Sequence, residues 1–417
     1  MYHKLRLTKP FTVVSAIILL TLSFGIYAQP LSDKEKLGKR IFFDKMLSLN
    51  ANQSCASCHG PDVGWTGPLS NINLHGAVYE GSVAGRFGNR KPPSSAYATL
   101  SPIFHYWERQ RLFVGGNFWD GRATGEKLGN PAADQAQGPF LNPLEQALST
   151  PADVIERICG GSYADLFTEL WGDPACDPAN VATAYDYVAL SIAAYEDSSE
   201  VNAFSSKYDA FLAKKAKLDK EERKGLALFK GKAKCSQCHT ISGKAPLLTD
   251  FTYDNLGVPR NPENPFYTQT EFNPDGFEWV DIGLGGFLET RPEYADKALE
   301  NYGKQKVPTL RNVDKRPSDN FVKAYAHNGY FKSLKGIVHF YNTRDVKPRC
   351  PDIFTTEVDA LAQGCWPAPE VEENVNTKEL GNLGLTEDEE EALVAFMMTF
   401  SDGYRLDDDD DDDDKNR

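Results

Sequence analysis

The sequence predicts a mainly α-helical protein built from two similar halves. A pentapeptide of the form Cys-x-x-Cys-His occurs twice, at Cys55–His59 and at Cys235–His239. A helical pattern precedes each copy, at 31–44 and at 218–231, with a capping residue at its start and Leu, Ile or Phe along one face. This repetition of helix and motif indicates that the chain uses one structural unit twice.

The rest of the chain alternates helical segments with irregular ones. Apolar residues recur at helical spacing in three more places, namely 150–170, 179–213 and the segment after Thr386. Glu389 completes a capping box with Thr386. Residues 60–140 and 240–320 are rich in Gly, Pro and Asn and sustain neither a helical nor an alternating period. We expect long loops there rather than sheets.

The repeated pentapeptide is the attachment motif of c-type haem. Two thiols three positions apart can add to the vinyl groups of one porphyrin, and the adjoining imidazole of His59 or His239 then lies under the iron. The attaching thiols would be those of Cys55, Cys58, Cys235 and Cys238. A zinc site or a redox-active cysteine pair is the alternative, but it must explain the same extra histidine twice. We therefore expect two covalently bound haem c groups.

These observations predict two cytochrome c-like haem domains with long irregular loops. The length suits two domains that each bury a haem and a core. We place a signal peptide at 1–28, an N-terminal haem domain at 29–215, a C-terminal haem domain at 216–405 and a disordered acidic tail at 406–417. The boundary between the domains falls in the Lys-rich stretch before the second copy of the helix.

The N-terminal residues predict export. Lys4, Arg6 and Lys9 precede an apolar run over 11–27, and Ala28 closes a cleavage site. An uncleaved membrane anchor is the alternative, although small and hydroxyl residues weaken that run as a stable span. No later segment is apolar enough to cross a bilayer. Because haem attachment to this motif needs an oxidising, exported setting, we expect a periplasmic protein.

Four cysteines remain after the haem motifs, and they predict two structural disulfides. They are Cys159, Cys176, Cys350 and Cys365. Pairing each with its neighbour in sequence closes short loops, although four cysteines allow three connectivities. The net charge of −14 is inflated by eight consecutive aspartates at 407–414, and this balance argues against nucleic acid as a partner.

Further motifs, in the right order, resemble the bacterial di-haem cytochrome c peroxidase family. That family includes MauG-like members, which oxidise residues of a partner protein. The motifs are Phe118–Arg122, Asn142–Glu145, Val307–Val313, Tyr325–Gly329 and Leu334–Asn342. The resemblance runs through essentially the whole chain to about Tyr404 and implies an enzyme that reacts with hydrogen peroxide.

The resemblance implies different roles for the two haems. His59 would hold a peroxide-reactive haem and His239 an electron-transfer haem. Trp119 would relay electrons between them, and a core aromatic residue is the alternative role for this side chain. Arg122 would pair with a propionate near a haem edge, and a surface ion pair is its alternative.

Glu145 matches the distal glutamate of the family. Cleavage of the peroxide O–O bond needs a base that takes a proton from the inner oxygen and an acid that returns it to the leaving oxygen. A partly buried carboxylate with a raised pKa can do both. Without the resemblance, Glu145 would be an exposed residue in the first turn of a helix capped by Asn142.

The most informative difference from the usual family sequence concerns the axial ligand of the second haem. Tyr341 stands where donor-dependent peroxidases usually have an axial methionine and where MauG has tyrosine. Met397 and Met398 lie far along the chain, on the last predicted helix. We therefore predict Tyr341 as the axial ligand, with His339 as runner-up and a core aromatic residue as the alternative. An anionic phenolate favours ferric iron and lowers the potential. His327 matches a histidine that tunes the second haem.

Two further positions bear on activation and on calcium. His75 lies in the loop where reductively activated members place a removable distal ligand of the first iron, although a hydrogen-bonded surface histidine is the alternative. Lys91 stands where the family often has an asparagine that binds calcium between the domains. Because an ammonium group repels Ca²⁺ and offers no oxygen ligand, the sequence makes calcium a doubtful cofactor.

We predict a periplasmic di-haem c-type peroxidase that reduces hydrogen peroxide to water. Its electrons would come from a small redox protein such as cytochrome c or a cupredoxin. The first alternative is a MauG-like enzyme that uses peroxide to oxidise aromatic side chains of a protein substrate. The second is a non-catalytic di-haem electron carrier, which would keep both irons six-coordinate. Some family members form homodimers, and the sequence is compatible with one.

Overall fold

A computed structural model describes residues 30–406. The predicted signal peptide at 1–28 and the aspartate run at 407–414 lie outside the described residues. Over the part that is described, the chain is mostly helical with a few very short strands, so the mainly α prediction is confirmed. No helix within 30–406 is long and apolar enough to cross a bilayer.

The α-helices are connected by long irregular segments. In the first half they are α1 (Asp33–Phe43), α2 (Cys55–Cys58), α3 (Ser70–Leu74), α4 (Pro131–Ala136), α5 (Gly138–Leu141), α6 (Pro151–Cys159), α7 (Ala164–Trp171), α8 (Val181–Asp197) and α9 (Lys207–Leu212). In the second half they are α10 (Lys220–Lys230), α11 (Leu284–Glu289), α12 (Leu334–Thr343), α13 (Glu357–Gln363) and α14 (Glu387–Met398).

Short 3₁₀ turns occupy part of the loops. They are Lys45–Leu47, Pro61–Val63, Ala98–Leu100, Asp173–Cys176, Pro178–Asn180, Cys235–Gln237, Pro265–Thr268, Gly276–Glu278, Ala295–Lys297 and Leu299–Asn301. Two antiparallel pairs of strands also lie in the loops, where we expected no sheet. Strand β1 (His105–Trp107) pairs with β2 (Leu112–Val114), and β3 (Tyr253–Asp254) pairs with β4 (Gln305–Lys306). Strands of two or three residues are too short to leave an alternating pattern in the sequence.

Two predicted helical segments are each divided in the structure. The segment at 150–170 breaks between α6 and α7, where the consecutive glycines Gly160 and Gly161 disfavour a continuous helix. The segment at 179–213 breaks between α8 and α9. The predicted capping box of α14 is present, with the Thr386 side chain accepting from the Glu389 amide and the Glu389 side chain accepting from the Thr386 amide.

A glycine in each copy of the repeated helix allows a close helix crossing. Helix α1 packs against α8 at Gly38, where a Cβ atom would lie 1.8 Å from the Ser191 carbonyl oxygen. Helix α10 packs against α14 at Gly225, where a Cβ atom would lie 1.9 Å from the Ala392 carbonyl oxygen. The two glycines occupy the same place in the two copies, so the repeat conserves a packing contact as well as a haem motif.

Each half has its own hydrophobic cluster. The cluster of the first half includes Leu37 and Phe42 of α1, and that of the second half includes Phe229 of α10 and Phe396 of α14. Residues 31–406 nevertheless pack as one continuous unit, and the boundary at 215 stays a prediction.

One disulfide staples each half. The bonds join Cys159 to Cys176 and Cys350 to Cys365. Of the three connectivities that four cysteines allow, the structure therefore has the one that closes the two short loops.

The helix crossing gives a test of this packing. Replacing Gly38 by alanine places a methyl group against a backbone carbonyl, and we expect the free energy of unfolding to fall by about 1–3 kcal/mol. Gly138→Ala is the matched control, because its nearest contact at 3.6 Å is an ordinary one. Denaturant unfolding of both variants measures the difference, and equal stabilities would contradict the close crossing.

Candidate di-haem active site

A cavity lined mostly by the first half gathers most of the residues predicted for the peroxide-reactive haem. Its walls come from the first pentapeptide, from the turn that contains Trp119 and from the segment after α5. Among its lining residues are Cys58, His59, Trp119, Arg122 and Glu145. The structure therefore brings together residues that lie up to 87 positions apart, from Cys58 to Glu145.

A second cavity gathers the residues predicted for the electron-transfer haem. Its walls come from the second pentapeptide, from the segment around Val307 and from α12 and α14. Among its lining residues are Cys235, Cys238, His239, His327 and Tyr341. Trp119 lines both cavities, so its side chain lies between the two predicted haem positions.

Both motif histidines are oriented as metal ligands require. The Nδ1 atom of His59 lies 3.2 Å from the Trp65 carbonyl oxygen, and Nδ1 of His239 lies 2.9 Å from the Leu248 carbonyl oxygen. Because a carbonyl only accepts, each Nδ1 carries the proton and each Nε2 keeps a free lone pair. Burial lowers the pKa of His59 to about 4 and also lowers that of His239, which favours the neutral, ligating form.

The four motif thiols are free, whereas the other four cysteines form disulfides. The first pair lies on the single turn of α2, and the second pair lies in a 3₁₀ turn and the residue after it. Burial raises the pKa of Cys55 and of Cys235 to about 12. In each half, two free thiols lie next to an imidazole whose Nε2 atom is unprotonated. This arrangement is compatible with covalent attachment of a haem.

Glu145 lies at the first cavity in a turn. Helix α5 ends at Leu141, so Glu145 is not in the first turn of a helix. The Asn142 side-chain amide donates to its Oε1 atom at 2.8 Å. Burial raises the pKa of Glu145, while the Arg122 guanidinium and the Asn142 amide oppose the rise. A carboxyl group whose pKa is raised keeps its proton to higher pH than an exposed one and, once ionised, is the stronger base.

Arg122 belongs to a chain of alternating charges. Its guanidinium lies 2.6 Å from Asp120 and stacks 3.9 Å above the Phe118 ring. Asp120 also pairs with Arg90 at 2.5 Å, and Arg90 pairs with Asp281 at 2.6 Å. Although burial alone would raise the pKa of Asp281, the Arg90 guanidinium holds it below its usual range. Sequence reasoning missed Arg90 and Asp281, because no local pattern connects residues 191 positions apart.

Trp119 and His327 lie next to each other at the second cavity. The indole Nε1–H donates to the Lys91 carbonyl oxygen at 2.8 Å, and the two ring centroids are 6.5 Å apart. The Nε2 atom of His327 is buried without a hydrogen-bond partner among the described residues. Its nearest carboxylate oxygens are those of Glu370 at 3.6 Å and Asp281 at 3.9 Å.

Helix α12 places Tyr341 and His339 on different sides. Tyr341 lines the second cavity, where burial and the neighbouring Cys235 and Cys238 thiols raise its pKa. His339 points instead toward α14, with Nδ1 3.0 Å from a Glu390 oxygen, and it is not among the residues that line the cavity. Residues two positions apart on a helix do not face the same way, so only one of the two can reach the cavity.

The structure does not bring His75 to the first cavity. Its side chain is 64% exposed, and Nδ1 lies 2.9 Å from the Glu263 carboxylate. His75 is not among the residues that line the first cavity. In this conformation His75 is a hydrogen-bonded surface histidine, which is the alternative given above. Its role as a removable ligand of the first iron stays a prediction.

Three residues that line the cavities were not predicted as site residues from the sequence. Glu196 of α8 lines the first cavity, and burial raises its pKa to about 8. Lys306 lines both cavities, and its ammonium bonds Ser101 Oγ at 2.8 Å and Asn117 Oδ1 at 2.9 Å. Met397 of α14 lines the second cavity. A buried charge or a helix-face methionine has no distinctive sequence pattern, so only the structure assigns these residues to the site.

The chain is similar to known proteins over most of its length. Residues 32–217 match the family model described as di-haem cytochrome c peroxidase. The methylamine utilization protein MauG of Paracoccus denitrificans is 33% identical over 394 residues, which cover 93% of each chain. Cytochrome c551 peroxidase of Pseudomonas aeruginosa is 32% identical over 242 residues, which cover 56% of this chain and 57% of the relative.

A solved structure shares the architecture. The diheme peroxidase BthA of Burkholderia thailandensis superimposes with a TM-score of 0.72 at 28% identity, over 90% of this chain and 88% of that one. The sequence match to MauG extends over nearly the whole of both chains, and the fold match extends almost as far. The chain therefore belongs to the di-haem cytochrome c peroxidase family, whose members are oxidoreductases.

Proposed function

We propose that this protein is a di-haem c-type peroxidase that reduces hydrogen peroxide at the first cavity with electrons that arrive through the second. The observation that carries the proposal is the shared wall of the two cavities, in which Trp119 borders both. Glu145 lies on the first cavity together with His59, whereas Tyr341 lies on the second together with His239. This difference between the two cavities supports a division between peroxide chemistry and electron supply.

Each cavity would hold one haem through its own pentapeptide. Cys55 and Cys58 would bind the first porphyrin with His59 under its iron, and the second motif would do the same in its half. When bound, the haem supplies an iron centre that takes peroxide and exchanges single electrons. The protein supplies orientation and proton transfer.

Glu145 would move the proton during cleavage of the peroxide. Its carboxylate takes a proton from the inner peroxide oxygen and returns it to the leaving oxygen, which departs as water. The bond from Asn142 fixes the orientation of this carboxyl group, and burial raises its pKa. Complete reduction of one peroxide to two waters also consumes two protons from solvent and two electrons from the donor.

Trp119 would pass those electrons between the cavities. Its indole nitrogen is anchored on a backbone carbonyl, which cannot take a proton at ordinary pH. Loss of an electron from this indole would therefore leave the N–H in place, so that the return step needs no proton. An aromatic side chain of this kind, 8% exposed, suits rapid and reversible electron transfer.

A MauG-like activity is the second candidate. Tyr341 on the second cavity favours it, because an oxygen ligand there stabilises oxidised iron and makes a donor-fed reservoir less effective. The 33% identity to MauG over 93% of the chain also favours it. In this candidate, aromatic side chains of a partner protein supply the electrons that a cytochrome or cupredoxin supplies in the first.

A non-catalytic carrier has less support. Such a protein needs a second strong ligand, typically His or Met, on each iron. Among the described residues that line the first cavity, His59 is the only histidine and methionine is absent. Glu145 would then have no function at a closed iron, whereas it has one beside a peroxide-binding iron.

The setting proposed for this activity is the periplasm, where haem attachment and both disulfides are chemically favoured. The partners would be hydrogen peroxide and either an electron-donor protein or a protein substrate. The homodimer that the resemblance allows belongs to this proposal as well.

Stopped-flow absorbance after mixing with stoichiometric peroxide tests the function. We compare the fully ferric protein with a sample that has first been reduced by one electron. Reaction that starts only after reduction, followed by oxidation of a donor cytochrome, supports the donor-fed peroxidase. A rapid, long-lived change in the ferric sample that decays when a protein substrate is added supports the MauG-like candidate. Absence of reaction in both samples would contradict both.

Glu145→Gln tests the proton-transfer role. We expect the second-order rate constant for peroxide to fall by about 10²–10⁴-fold, while both haems stay bound. Because the base form is required, the wild-type rate should rise with pH through the raised pKa of Glu145, and the Gln variant should lose this rise. Glu156→Gln, at an exposed position of α6, is the matched control. Wild-type kinetics in the Glu145 variant would remove this residue from the mechanism.

Tyr341→Phe tests the axial ligand. Removal of an anionic oxygen ligand should change only the second haem's absorbance spectrum and raise its midpoint potential. Tyr330→Phe is the control, since Tyr330 is buried in the same half and donates to the Thr355 carbonyl oxygen without lining the cavity. An unchanged spectrum in the Tyr341 variant would mean that Tyr341 is a core aromatic residue and not a ligand.

A further inference from the structure

Lys91 and Lys323 are buried at the cavities among neutral oxygen atoms. Lys91 is 8% exposed and lines both cavities, and Lys323 is 6% exposed and lines the second. Within residues 30–406, the hydrogen-bond partners of both ammonium groups are carbonyl and hydroxyl oxygens rather than carboxylates. Unpaired buried charges are costly, so their position needs an explanation.

The Lys323 side chain ties the two halves together. Its Nζ atom donates to the carbonyl oxygens of Asn312 at 2.6 Å and Lys315 at 3.3 Å in the second half. It also donates to the Val63 carbonyl oxygen at 2.9 Å in the first half. All three of its donors are used, so Lys323 acts as a cross-link.

Lys91 is the link between Trp119 and His327. Its backbone N–H donates to the His327 carbonyl oxygen at 2.8 Å, and its own carbonyl accepts the Trp119 indole N–H. Its Nζ atom donates to Thr66 Oγ1 at 2.9 Å and to the Pro92 carbonyl oxygen at 3.0 Å. Two of its three ammonium donors are therefore used, which leaves one for a carboxylate such as a haem propionate.

The oxygen set around Lys91 is of the kind that a hard cation selects. Carbonyl and hydroxyl oxygens are typical Ca²⁺ ligands, and the family often has an asparagine at this position. In this chain the Lys91 ammonium group lies among these oxygen atoms instead. Burial lowers the pKa of Lys91 to about 8, so that its ammonium is still largely charged at neutral pH. Burial and the Lys91 charge lower the pKa of Lys323 well below its usual value.

A calcium ion does not fit beside this group. Like charges in a buried setting repel strongly, because water is not available to screen them. A lysine side chain also offers no oxygen in place of the asparagine amide. The residues present here therefore disagree with the calcium site that the family resemblance implies.

We propose that the Lys91 ammonium is a tethered cation that takes the place of calcium between the two haem cavities. At neutral pH it supplies a positive charge beside Thr66 and Pro92, in the wall that the two cavities share, without a metal ion. The proposal does not depend on whether the electrons come from a donor protein or from a protein substrate, because the charge belongs to the resting structure.

Metal analysis and chelation of the purified di-haem protein give the first test. We expect iron without stoichiometric calcium. Dialysis against EDTA should leave the thermal unfolding midpoint and both haem midpoint potentials unchanged, and later addition of Ca²⁺ should have no effect. One calcium per chain, or a fall in the unfolding midpoint that Ca²⁺ restores, would overturn the proposal. This test needs no variant and is independent of peroxide activity.

Substitutions of Lys91 give the second test. Lys91→Met keeps the length and removes the charge, so at least one haem midpoint potential should fall, because the oxidised iron loses a repulsive neighbour. Lys91→Arg keeps the charge and should stay near the wild-type potentials. Lys91→Asn restores an amide oxygen, and its unfolding midpoint should rise when Ca²⁺ is added. Wild-type potentials in the Met variant, or an Asn variant indifferent to Ca²⁺, would overturn the proposal.

Discussion

The arrangement of the site depends on one hydrogen bond, from the Trp119 indole to the Lys91 carbonyl oxygen at 2.8 Å. This bond holds the turn that contains Trp119 against the segment that separates the two cavities. Lys91 is in turn bonded through its amide to His327, so the bond fixes the position of one aromatic side chain relative to both halves. Without it, the two cavities would still exist, but the aromatic side chain that lines both of them would not be held in place.

A series of charged side chains connects the region of this bond to the first cavity. Asp281, Arg90, Asp120 and Arg122 alternate in sign from the second cavity toward Glu145. The pairs that Arg90 forms with Asp281 and Asp120 are largely buried, whereas the Arg122 side chain is 43% exposed. Buried pairs contribute little net stability, because desolvation offsets most of the attraction, but they fix geometry and the local potential. Arg122 opposes the rise in the pKa of Glu145, so a change in the chain of charges would alter the proton-transfer group.

The sequence predicts the features that local chemistry determines. Three such features depend on residues close together in the chain: the haem motifs, the capping box at Thr386 and the two short disulfide loops. The structure contains the capping box and both disulfides, and it leaves the four motif thiols free for haem attachment. The partner of Arg90, the burial of Glu196 and the carbonyl set around Lys323 depend on long-range contacts, which leave no local pattern. His75 illustrates the same limit, since its place in a loop does not reveal that Glu263 lies beside it.

The central claim is that Trp119 connects the two haems, and rapid mixing with peroxide tests it directly when the absorbance of each haem is followed separately. In Trp119→Phe, with both resting spectra unchanged, we expect the first haem to respond at the wild-type rate and the second haem to respond many times more slowly. Trp171→Phe, which removes a tryptophan stacked on Tyr187 away from both cavities, should behave as wild type. A second haem that responds at the wild-type rate in the Trp119 variant would contradict the account.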